Sequence, residues 1–247
     1  MDARKVEAAN GWLWIKQGWA LFQKNGGLWV ALMLIGGACL IVIGLIPRLG
    51  APLATLLSPV LFGGLLMGCR ALEKGEKLEL AHLFAGLHHN TTQLVALGGI
   101  NLVCELLVYT VMQQMGGAKL VALMTNPPAN VDPQVLNDML IDAVREAGFA
   151  LPVGAILACI VLLLLCYAPM LVIFNDLSPI AAMKASWRAC WRNVGPLLVY
   201  GLVMLPLFFV ATLPMLLGWL ILGPLVLTSM YASYRDLFPT ISSSAQM

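Results

Sequence analysis

Long apolar runs alternate along the chain with short polar segments, and within each run the apolar residues cover every face. A helix needs about 20 such residues to cross roughly 30 Å of hydrocarbon, and its backbone must satisfy its own hydrogen bonds there. Windows of that kind fall at 28–46, 52–67, 93–112, 151–174, 196–213 and 217–230. The last two are interrupted by Pro206, Pro214 and Pro224, which predicts kinks and a tight turn near Leu213 and Pro214. The pattern predicts an all-α transmembrane bundle of about six spans in a single domain, 1–247.

Three of the polar segments are one-sided in a different way. Before the first, third and fifth spans the chain reads as a short amphipathic helix closing on an asparagine, Asn25, Asn90 and Asn193. In the first, Trp12, Ile15, Trp19 and Phe22 share a helical face; in the second, Leu80, Leu83, Phe84 and Leu87 do. In the third, Ile180, Met183, Trp187 and Trp191 form the apolar face, and Lys184, Arg188 and Arg192, four residues apart, form a basic stripe beside it. Such helices lie in a membrane interface, with indole rings at headgroup depth and cations near lipid phosphates. The recurrence predicts three copies of one unit, an interfacial helix and then a helical hairpin, over 11–69, 80–174 and 178–235.

The middle unit is lengthened by 113–150, read as the one sizeable loop outside the bilayer. Within it Asp132 precedes Pro133, a helix cap followed by a proline at the first helical position. The helix predicted from there turns Leu136, Met139, Leu140 and Val144 to one side, as a face to pack on the membrane domain or a partner.

Composition agrees with burial in lipid. The chain of 247 residues is 60% hydrophobic and 11% charged, with mean hydropathy +0.88, where soluble domains carry roughly 25% charge. Eleven Lys and Arg residues (4, 5, 16, 24, 70, 74, 77, 184, 188, 192, 235) fall on one side of the predicted spans and three (48, 119, 145) on the other. The richer side is expected to be cytoplasmic, with both termini there, in a bacterial inner membrane. A net charge of +2 spread among spans excludes a nucleic-acid surface.

Chemistry-bearing residues are few. Asn101 and Glu105 sit four apart near the middle of the third span, and an ionisable group at that depth is a candidate site, for a cation or proton relay or for a hydrogen bond between helices. The three histidines, His82, His88 and His89, lack partners at a metal-binding spacing, and no metal or cofactor is expected. The six cysteines show no paired motif and read as small packing residues. No phosphate-binding loop, nucleophile elbow or zinc-hydrolase motif occurs, so no catalytic residue is assigned.

Five stretches carry a resemblance: Ser58 to Gly64, Gly68 to Glu73, His82 to Gly86, Ser178 to Ser186 and Tyr231 to Asp236. Through them the chain resembles an uncharacterised family of proteobacterial inner-membrane proteins. The resemblance spans nearly the whole chain and implies location and topology without an activity. The expectation is a non-enzymatic membrane component that meets anionic lipid, a membrane protein partner or a second copy of itself. Its lipid contacts would be Lys184, Arg188, Arg192, Trp187 and Trp191. The alternative is a small-solute or lipid transporter or channel working through Glu105, and a membrane enzyme acting on lipid or quinone is a third class.

Overall fold

The computed structural model describes residues 3–128, 131–213 and 217–239. Among these the chain is helical, without strands, and divides into two compact units, 1–99 with 164–247 and 100–163. Pro214 lies outside the described residues, so the expected turn there is not seen.

Among the described residues, five helical stretches are long and apolar enough to cross a bilayer: Gly26–Gly44, Gly50–Glu73, Thr91–Thr125, Ala150–Asn175 and Val194–Thr212. The chain is an integral membrane protein built as a helical bundle. In order, the helices are α1 (Asn10–Gln23), α2 (Gly26–Gly44), α3 (Gly50–Glu73), a 3₁₀ helix (Leu80–Leu87), α4 (Thr91–Met112), a π-helical turn (Gln113–Gly117), α5 (Ala118–Thr125), α6 (Pro133–Ala147), α7 (Ala150–Leu165), α8 (Ala168–Asn175), α9 (Pro179–Arg192), α10 (Val194–Thr212) and α11 (Trp219–Leu237). The sixth expected span falls in α11. Its first half is apolar, but Thr228, Ser229, Ser233, Arg235 and Asp236 make the second half too polar to count with the other five. That half is buried in protein, against α1, α2, α3 and α10, where hydroxyls find partners that hydrocarbon lacks.

The larger unit is organised by small residues. In α1 the packed face is Gly11, Trp14, Ile15, Gly18 and Phe22. A Cβ at Gly11 would stand 2.2 Å from the Pro196 carbonyl oxygen, and one at Gly18 would stand 2.6 Å from the Ser229 Cα, so only glycine lets α1 lie this close to α10 and α11. The 3₁₀ helix is pressed on α3 in the same manner: a Cβ at Gly64 would meet the His82 carbonyl oxygen at 2.4 Å, and one at Gly86 the Val60 carbonyl oxygen at 2.1 Å. Helix α9 buries Ala182, Ala185, Ser186, Ala189 and Cys190, and it packs on α8.

These contacts separate the residues of the expected apolar faces that meet protein from those that stay outside. In α1, Ile15 and Phe22 are buried, whereas Trp12 and Trp19 are exposed, and the buried indole is Trp14. In the 3₁₀ helix Leu83 is buried, whereas Leu80, Phe84 and Leu87 are exposed. Helix–helix approach selects the smallest side chains, and the large apolar ones are left for the side that meets lipid.

In the smaller unit the segment 113–150 carries the expected helix after Asp132 and, before it, further helical turns. Helix α4 runs through the π-helical turn into α5, with Gly116 at φ 100°. Asp132 caps α6 by accepting the Gln134 N–H at 2.8 Å, with Pro133 first in the helix, as expected. The packed face of α6 is Ala143 and Ala147, which meet Leu120 and Ala150. Met139, Leu140 and Val144 remain exposed, and a Lys119–Glu146 ion pair links α5 to α6.

Candidate functional site

Because α9 buries its alanine face, its other two faces point outward. Ile180 is 62% and Trp191 59% exposed, and Lys184, Arg188 and Arg192 are exposed beside them. The rings of Trp187 and Trp191 lie 5.6 Å apart, nearly edge to face, so the two indoles form one surface. The Arg188 Nε donates to the Lys184 carbonyl oxygen at 3.3 Å, which holds the guanidinium along the stripe. Ser178 and Pro179 start the helix, with proline at its first position, and Asn193 ends it.

Asn193 is buried and ties this end of α9 to the N-terminal arm. Its amide donates to the Arg4 carbonyl oxygen and to the Ala189 carbonyl oxygen, both at 3.0 Å, and its Oδ1 accepts the Val6 N–H at 2.9 Å. The arm is thereby brought beside α9, and Trp191 and Arg192 share with Arg4, Lys5 and Glu7 the rim of an open depression of about 880 Å³. Sequence reasoning placed Trp191 and Arg192 here and missed the arm, whose proximity depends on a single amide 187 residues away from Val6.

The polar end of α11 is a second cluster that the sequence did not single out. Asp236 pairs with Arg4, accepts the Asn10 amide at 2.7 Å and accepts the Trp14 indole N–H at 2.8 Å. Burial pushes its carboxyl upward, but the bonds from Asn10, Trp14 and Arg4, with the Arg4 charge, outweigh that and hold it below the ordinary carboxylate range. The adjacent Arg235 pairs with Glu73 and donates to Gln17 at 3.0 Å. Tyr231 donates to Glu73 at 2.5 Å and Tyr234 donates to Asn175 at 2.5 Å. This network joins α1, α3, α8 and α11. The available signal was the Arg235–Asp236 pair at the end of an otherwise uncharged helix.

In the other unit the intramembrane pair is brought together as expected: the Asn101 amide donates to Glu105 at 2.8 Å, from one turn of α4 to the next. Both residues are half-buried. Among the described residues no group of three or more His, Cys, Asp or Glu could hold a metal ion, and none of the six cysteines is paired in a disulfide.

The resemblance read from the sequence is matched by a probable inner membrane protein of Burkholderia thailandensis, a proteobacterium, 29% identical to this chain over 262 aligned positions that cover 96% of the chain and 94% of that protein. No family model matches the sequence, and no solved structure matches it.

Proposed function

We propose that this chain is a non-enzymatic component of a bacterial inner membrane that engages anionic lipid through the outward faces of α9, with both termini cytoplasmic. One observation carries the reading: α9 is held to the protein by its small residues, so Ile180, Trp191 and the cations are left outside together, with Trp187 half-buried beside them. A free amphipathic helix would spend its large apolar residues on the protein core; here Ile180 and Trp191 are available to a bilayer and Lys184 and Arg192 to its phosphates. Each cation near an anionic surface contributes about 1 kcal/mol. The uneven distribution of Lys and Arg supports the orientation, and the Burkholderia protein's name supports the membrane.

The docking of the three short helices also supports three copies of one unit. The 3₁₀ helix lies on α3 and α9 on α8, each on the last helix before it, and α1 lies on α11, the last helix of the chain.

The test is reconstitution of the K184Q/R188Q/R192Q variant in nanodiscs of mixed phosphatidylcholine and phosphatidylglycerol, with bound lipid counted by native mass spectrometry. Enrichment of phosphatidylglycerol around the wild type should fall severalfold in the variant. Equal enrichment in both proteins overturns the reading.

A further inference from the structure

We propose a second, more enclosed lipid site: a pocket between α3, the 3₁₀ helix and α8 that holds the phosphate of an anionic phospholipid headgroup. It rests on the reading that this protein meets anionic lipid, and it concerns residues that the α9 stripe does not include.

The pocket has a volume of about 310 Å³ and mixes cations with apolar walls. Arg70 and Lys74, one turn apart at the end of α3, supply two fixed positive charges, and His82 and His89 supply two imidazole rings from the 3₁₀ helix and the turn after it. Glu76 is the single carboxylate on the lining, so positive charge is in excess. Ile173 and Phe174 of α8 complete the wall.

Two of these groups are already oriented. The Arg70 guanidinium stands 5.3 Å from the centroid of the Phe174 ring, a cation–π contact that holds it against the pocket wall. The His82 Nδ1 lies 3.0 Å from the Glu79 backbone nitrogen and 3.1 Å from the Glu79 carbonyl oxygen, so the ring is anchored through that nitrogen at the start of the 3₁₀ helix. A phosphate diester accepts from such a set and returns the negative charge that the lining lacks.

Both α3 and α8 belong to stretches that can cross a bilayer, so the pocket lies where two spans end. Basic pockets between spans at that level are suited to lipid headgroups. A free phosphate would use the same donors but has no use for Met67, Ile173 and Phe174, which offer an apolar surface to the glycerol and the start of the acyl chains. The lipid is therefore the occupant.

The experiment uses the full chain in nanodiscs of phosphatidylcholine into which phosphatidylglycerol is titrated, with retained lipid counted by native mass spectrometry after detergent exchange. Arg70→Gln should weaken retention about tenfold, the loss expected for one charge-assisted hydrogen bond. Lys77→Gln, a cation of the same turn that does not line the pocket, should leave retention unchanged. If Arg70→Gln does not fold, Lys74→Glu reverses an exposed lining charge without touching the core and must itself cut retention.

Retention equal to wild type in the folded pocket variants overturns the proposal. Loss only in K184Q/R188Q/R192Q also overturns it while leaving the α9 reading in place; equal retention in both sets of variants ends both. Displacement of the lipid by inorganic phosphate at concentrations that bind the protein without any lipid assigns the pocket to a soluble anion and overturns the lipid assignment.

Discussion

Two carboxylates in this protein sit among apolar helices in opposite ways. Asp236 accepts from three side chains of the N-terminal arm and α1, and its neighbour Arg235 reaches Glu73 of α3, so α1 and α3 are both tied to the polar end of α11. Glu105 accepts from Asn101 on its own helix, one turn away. A network across elements fixes how those elements pack, because each donor loses its acceptor if a helix shifts. A pair within one turn moves with its helix and fixes nothing beyond it. A charged residue in this fold is structural when it joins several chain segments, and depth in an apolar run alone does not decide its role.

The largest expected effect breaks the networked side. Asp236→Ala leaves the Trp14 indole N–H and the Asn10 amide without their acceptor, in a half-buried position that water reaches poorly. Arg4 is more than half exposed and adds little. The two stranded donors together should cost about 3 kcal/mol, read as a lower midpoint in thermal unfolding of the detergent-solubilised protein. An unchanged midpoint would mean that α1 is held to α11 by its glycine contacts alone.

Acidification sharpens the same point. The folded-state pKa of Asp236 is depressed, so the unfolded chain takes up its proton first as pH falls. The stability this group contributes is fully present above the unfolded value of about 3.9 and is lost as pH drops through the folded value. Wild type should therefore lose stability on going below about pH 4, and Asp236→Ala should show a smaller loss over the same range. Parallel curves for the two proteins would remove Asp236 from the acid response.

The spans were legible in the sequence because their signal is local: 28–46 was read where α2 runs over Gly26–Gly44, and 93–112 where α4 runs over Thr91–Met112. The Asp132–Pro133 helix start was legible for the same reason. The packed faces were not. Periodicity finds the large apolar residues, and a membrane protein turns many of those toward lipid, so Trp12, Trp19 and Ile180 marked the outside of their helices. Gly11, Gly18 and Ala185 marked the inside, and they are weak in any hydropathy pattern. The polar end of α11 escaped because its partners come from Arg4, Asn10 and Glu73, more than 150 residues away in each case. Of the candidate sites, α9 was placed from its own sequence, while the arm beside it and the pocket at Arg70 exist only where distant segments meet.

The smallest expected effect lies on the other side of the comparison. Glu105→Gln keeps the length of the side chain and an oxygen that accepts the Asn101 amide, so the bond within α4 survives and only the charge is lost. If the pair is local, stability should change by less than about 1 kcal/mol, read by the same thermal unfolding that detects Asp236→Ala. A loss as large as that of Asp236→Ala would mean that Glu105 is meshed with other helices. A stability unchanged by Glu105→Gln, together with loss of a proton or cation flux in reconstituted vesicles, would instead show that the negative charge serves transport. The two measurements on one variant thus separate a helix-internal hydrogen bond from a relay, because a hydrogen bond tolerates the amide and a relay needs a group that can give up and regain a proton.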